Sequence, residues 1–179
     1  VITRVGVGYS GKIRVYHGTL VSGSILSLGA DDGNKIVIRS DFAGQGSAVD
    51  GIAYLATGET TDIGVMFNSG WLPEEVENAQ LEVVAQATAS VVIQVAWVKN
   101  VAMDRFQILG ADIMTGFENP NFYDLGNPIP AANYFGPTGR VDVRLYSVAL
   151  GFIGVPSYQV KYDLLALRVN DLLQGPNDP

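Results

Sequence analysis

Cysteine is absent from the 179 residues, histidine occurs once and lysine four times. Without cysteine there is no disulfide framework, thiolate nucleophile or Cys-ligated metal. A single histidine, His17, rules out zinc sites of the His/Cys type. It also leaves any Ser–His–Asp triad dependent on one ring, with no Gly-x-Ser-x-Gly turn to accompany it. His17 shares strand parity with Ile13 and Val15 and reads as a structural residue. Charge is scarce, at 16% of residues against a usual ~25%. Eighteen acidic residues outnumber eleven basic ones, a net charge of −7. The sequence has no run of Lys and Arg to meet a phosphate backbone, so nucleic acid is not an expected partner. No apolar run approaches the ~18 residues of a spanning helix, so direct membrane insertion is not expected either.

What is abundant is the material of strands. Twenty-two Val and twelve Ile stand beside six Glu, while 21 Gly and 8 Pro supply frequent breaks. β-branched side chains suit a pleated, half-buried surface, and Lys and Glu are the usual fillers of exposed helix positions. The composition predicts an all-β, single-domain sandwich of jelly-roll-like type with at most one short helix. Strict alternation over Val141–Tyr146 marks a strand with one buried face. A second alternating run, Tyr158–Leu164, changes parity at Leu164-Leu165, which predicts a β-bulge. Further strands are expected at Lys12–Val21, Ser24–Leu28, Lys35–Ser40, Gly51–Ala56, Asp62–Asn68, Leu81–Thr88, Val91–Lys99 and Arg105–Met114. The short helix is expected at Leu72–Asn78, where Pro73 and the acids Glu74 and Glu75 suit a first turn.

Residues 116–139 hold four Pro and four Asn and read as one long irregular loop. Long loops in compact domains are often functional. Its aromatics, Phe117, Phe122, Tyr123, Tyr134 and Phe135, are candidate intersubunit contacts. With Trp71 and Trp97 they are alternatively candidates for stacking on sugar rings, Asn119, Asn121 and Asp124 binding hydroxyls. Asp31, Asp32 and Asn34 form a hairpin connection and are also a weak candidate calcium site, because hard cations need only oxygen ligands. No other cofactor is indicated. Paired acids for glycoside hydrolysis are not evident, since Asp31-Asp32 and Glu74-Glu75 fit their turn and helix-start contexts.

A chain with so little catalytic vocabulary is expected to be non-enzymatic. Four lysines protect sheet edges poorly, and large permanent interfaces are depleted in charge. Together these predict a self-assembling subunit, its partners being copies of itself and other shell proteins, with a small-molecule ligand not expected. The phrase Gly51-Ile52-Ala53, Thr57-Gly58-Glu59, Ile63-Gly64-Val65-Met66-Phe67 resembles the strand–turn–strand segment of some phage capsid and capsid-decoration domains, over residues 44–70. The resemblance implies a capsid protein located in the virion. Two alternatives stand beside it. One is an extracellular filament or surface-layer subunit that exchanges a strand from Val1–Gly8. The other is a carbohydrate- or receptor-binding β-sandwich module, which predicts that Trp71 or the loop aromatics face a groove.

Overall fold

The computed structural model describes residues 2–4, 11–29, 33–44, 48–49, 52–54, 57–89, 91–126, 129–149 and 156–170. Among the described residues fourteen strands run in chain order: β1 (Ile2–Arg4), β2 (Gly11–His17), β3 (Thr19–Ser22), β4 (Ile36–Arg39), β5 (Asp41–Ala43), β6 (Ala48–Val49) and β7 (Ile52–Ala53). They continue as β8 (Gly58–Asn68), β9 (Ala79–Ala87), β10 (Val92–Asn100), β11 (Arg105–Met114), β12 (Asn119–Leu125), β13 (Arg140–Ala149) and β14 (Gln159–Val169). Two six-stranded antiparallel sheets form from them. The first has the order β12-β9-β14-β4-β3, with β1 also on β14; the second has β11-β10-β13-β8-β2, with β5 also on β8. The fold is an all-β sandwich, and from β8 onward the chain passes back and forth between its sheets except from β10 to β11, which are neighbours in the second.

The core lies between the sheets and follows from alternation. Val141, Val143 and Leu145 of β13 face Leu81 and Val83 of β9 and Leu165, Leu167 and Val169 of β14 within one buried cluster. The parity change expected near Leu164 is present as a register shift between Tyr162 and Leu164. Asp163 is the extra residue, and its carboxylate accepts from the Gly33 N–H at 3.1 Å. Before the bulge Val160 and Tyr162 point inward; after it, Leu165 and Leu167 do.

Several sequence expectations are corrected. Lys12–Val21 is two strands, because Gly18, at φ +97°, turns the chain from the second sheet into the first. A Cβ there would lie 2.7 Å from the Arg39 carbonyl oxygen. Ile25–Leu28 forms a 3-10 turn in place of the expected strand, and the expected helix at 72–78 is a 3-10 turn over Pro73–Glu75. Residues 116–139 are not one irregular loop. They contain the edge strand β12, paired along β9 from Asn119↔Ala85 to Leu125↔Ala79, and a 3-10 turn at Ala131–Tyr134. Pro120 is tolerated because an edge strand has one side with no ladder to serve. Of the segment Val1–Gly8 expected as an exchange strand, only residues 2–4 are described, and they pair with β14 of the same chain.

Candidate functional site

The outer face of the second sheet is divided. Ala43, Ile52 and Tyr54 fold over one half of it, packing on Val95, Tyr146 and Val148, with Trp97 and Phe106 at the margin. The other half is an open trough. Its main section, about 440 Å³, is floored by Gly64, Arg144 and Val143 and walled by Tyr16, Arg14, Met66 and Phe106. Arg140 continues it into neighbouring sections of about 330 Å³, beside Lys12 and Asn68, and about 240 Å³, beside Lys99 and Asp104.

Strand pairing assembles this site. Gly64 stands opposite both Arg14 on β2 and Arg144 on β13, and Arg144 stands opposite Trp97 on β10. Gly64 matters because it has no side chain. A Cβ would come within 2.6 Å of the Tyr16 ring, so the ring lies flat on the sheet only over glycine. Tyr16 in turn covers Arg144, whose guanidinium carbon is 3.7 Å from the ring centroid and 5.4 Å from that of Phe106. Arg144 and Asp62 are both fully buried and form a two-pronged ion pair, with Arg144 Nε donating to Asp62 Oδ1 at 3.0 Å. The Tyr54 hydroxyl donates to the other Asp62 oxygen at 2.9 Å. Burial, first, and the adjacent Asp62 charge hold the Tyr54 phenol well above its ordinary pKa, so it remains a donor. His17 has the structural part expected of it, Nε2 donating to the Asp41 carbonyl at 2.9 Å while its ring meets Tyr54 edge-on.

Around this buried centre the charges are layered. Arg140 pairs with Asp142 at 2.7 Å and Lys99 with Asp104 at 3.0 Å. Arg14 stacks on the Tyr16 ring at 4.9 Å. The arrangement offers planar donors, carboxylate acceptors and ring surfaces on one rigid sheet, open to solvent along its length. Among the described residues no group of three or more His, Cys, Asp or Glu could hold a metal ion.

The residues singled out from sequence fall elsewhere. Phe117 is 81% exposed and Phe122 is half-buried on β12, whereas Tyr123, Tyr134 and Phe135 are buried in the chain's own core. Tyr123 anchors there through its hydroxyl, 3.0 Å from the amide of Gln94. Trp71 packs against the core, Asn119 and Asp124 lie on the first sheet, and Trp97 lies on the second, so they form no common site. Asp31 and Asp32 of the calcium candidate lie outside the described residues; Asn34 is exposed. What sequence reading missed was Lys12, Arg14 and Tyr16 on β2 and Arg140, Asp142 and Arg144 on β13. The signal was present as charges at every second position of two strands. Only the pairing of both strands with β8 shows that they share a face.

No family model and no curated protein matches the chain. Among solved structures it is similar to a mutant of a family 29 carbohydrate-binding module, with 13% identity, 93% of this chain and 90% of that one covered, and TM-score 0.48. It is also similar to TmCBM61 in complex with β-1,4-galactotriose, with 11% identity, 93% and 91% covered, and TM-score 0.46. A third similarity is to the enzymatically active domain of a bacteriophage CBA120 tailspike protein, with 8% identity, 92% of this chain but 20% of that one covered, and TM-score 0.41. Of the expected phage resemblance, what these similar structures include is a tailspike domain. The expectation of a self-assembling virion shell subunit with no small-molecule ligand is corrected on this finding, since the similar structures are predominantly carbohydrate-binding modules.

Proposed function

We propose that the chain is a non-catalytic carbohydrate-binding β-sandwich module, acting outside the cell and without a cofactor, and that the trough over β2, β8 and β13 is its site. The observation that carries this reading is the co-placement of Tyr16 and Phe106 with alternating guanidinium and carboxylate groups along an open groove. A sugar ring has an apolar C–H face and a rim of hydroxyls that both donate and accept. Aromatic rings meet the first, and fixed polar pairs such as Arg140–Asp142 and Lys99–Asp104 meet the second. The groove runs through three sections that share Arg140, which suits a segment of a polysaccharide. Its floor is held by a sheet and a buried ion pair, so little ordering is needed on binding.

Affinity electrophoresis of the chain through gels containing soluble polysaccharides tests this. Retardation by at least one polysaccharide is expected, and Tyr16→Ala should remove most of it while the melting temperature shows the variant folded. No retardation by any neutral or acidic polysaccharide, or retardation untouched by Tyr16→Ala, would defeat the reading.

A further inference from the structure

The trough is basic on an acidic protein. Lys12, Arg14, Lys99, Arg105, Arg140 and Arg144 line it, six of the chain's eleven cations. Asp62, Asp104 and Asp142 are the acids among them, so this face carries +3 and the rest of the chain −10. The three acids are each paired, to Arg144, Lys99 and Arg140. Among the described residues, Lys12, Arg14 and Arg105 have no carboxylate within ion-pair distance, and all three are exposed. Cations gathered with no matching acids, against a background of opposite sign, form a local positive field that attracts anions.

Resting on the carbohydrate-binding reading, we infer that the ligand is an acidic polysaccharide, its carboxylate or sulfate groups received by Arg14, Lys12 and Arg105 and its hydroxyls by the paired groups between them. Guanidinium groups bind such oxyanions through parallel, charge-assisted hydrogen bonds. The interleaved Asp104 and Asp142 distinguish this ligand from a polyphosphate. Their carboxylates want donors, which sugar hydroxyls supply and a phosphate backbone does not.

Calorimetry of the full 179-residue chain with three oligosaccharides of equal length decides the matter: an oligogalacturonate, a sulfated galactan fragment and a neutral galactan fragment. The charged sugars should bind about tenfold or more tightly than the neutral one, and the advantage should shrink as salt shortens the screening length. Preference for the galacturonate identifies a carboxylated ligand, and preference for the sulfated fragment a sulfated one. Lys12→Ala/Arg14→Ala, both exposed, should fold normally and lose about tenfold for the charged sugar. Lys161→Ala, on the other sheet, should change nothing. Neutral sugar bound equally well or better would overturn the inference and leave the carbohydrate reading standing. Binding of single-stranded DNA as tight as that of the charged sugars would overturn it too. No binding of any oligosaccharide would remove both.

Discussion

Each outer face of the sandwich carries an arginine–carboxylate pair beside an aromatic ring, and the two pairs differ in depth. On the first sheet Arg168 meets Glu82 at 3.1 Å with 18% and 14% of their side chains exposed, and its guanidinium carbon is 5.8 Å from the Phe122 ring. On the second sheet Arg144 and Asp62 have no exposure at all. The chemistry is nearly the same; the neighbours are not. Gly64 lets Tyr16 lie down over Arg144, Phe106 closes the opposite side, and Tyr54 caps the carboxylate. On the first sheet the outward positions of β9 on either side of Glu82 are Gln80, which bonds Asp124, and Val84, which packs with Leu164 and Ala166, while Arg168 and Glu82 themselves keep partial exposure. On the second sheet the missing side chain of Gly64 thus leaves room for the ring that completes the burial of the pair.

The largest effect should come from breaking the buried pair. Arg144→Ala leaves the Asp62 charge enclosed, and removal of one partner of such a pair costs about 3–5 kcal/mol. Arg168→Ala, by contrast, should cost about 1 kcal/mol or less, because water solvates what remains of a partly exposed pair. Urea denaturation of both variants measures the difference. Similar losses would mean that enclosure by Tyr16 and Phe106 counts for nothing.

Alkaline pH tests the enclosure next. Burial raises the pKa of the phenols of Tyr54, Tyr123, Tyr158 and Tyr162 above their usual value. An unfolded tyrosine loses its proton near pH 10, whereas these resist. Above that pH the native state therefore holds more protons than the unfolded one, and stability falls as pH rises. The stabilisation should be fully present below about pH 10 and be lost progressively above it. Unfolding midpoints measured across this range check the sign. Tyr54→Phe should flatten part of the slope and also remove a donor from the buried Asp62, at a cost of about 1–3 kcal/mol near neutrality.

How far the sequence discloses this can be stated residue by residue. The alternation of Val141, Val143 and Leu145 identified a half-buried strand, and the parity change in β14 announced its bulge, because faces follow a period of two. Arg144, by the same logic an outward residue, is outward but buried, since local alternation says nothing of what another strand lays on top. No run of Lys and Arg marks the trough in the sequence, because Lys12 and Arg140 are far apart along the chain; β8 brings their strands onto one face. Tyr134 and Phe135 are expected as contacts because five aromatics in one Pro- and Asn-rich segment need cover from water; the chain's own fold supplies cover for these two. The 3-10 turn at Ala131–Tyr134 and a Tyr134 hydroxyl 3.2 Å from Gln107 do so.

Gly64→Ala is a finer probe of the same contrast. The new methyl group would overlap the outer edge of the Tyr16 ring, a movable side chain, while Gly64 itself has no left-handed backbone to strain. The ring should tilt off Arg144, at a stability cost of about 1–2 kcal/mol. Sugar binding should fall several-fold, because the ring no longer lies where a ligand meets it. Binding lost with little loss of stability would tie the ring's posture to the site. Stability lost with binding intact would assign Tyr16 to packing alone.

The smallest expected effect separates the two rings. Phe122 is half-buried beneath Arg168, an exposed-type cation–π contact worth about 0.5–1 kcal/mol, so Phe122→Ala should lower stability by about 1 kcal/mol. It should leave polysaccharide retardation unchanged, because Phe122 lies on β12 of the first sheet and the trough on the second. Phe106→Ala removes the wall of the trough and one cover of Arg144, so it should weaken retardation as well as stability. If Phe122→Ala were the variant that abolished retardation, the ligand would lie across β12 and β9. The depth of the second-sheet ion pair would then be a feature of folding and not of recognition.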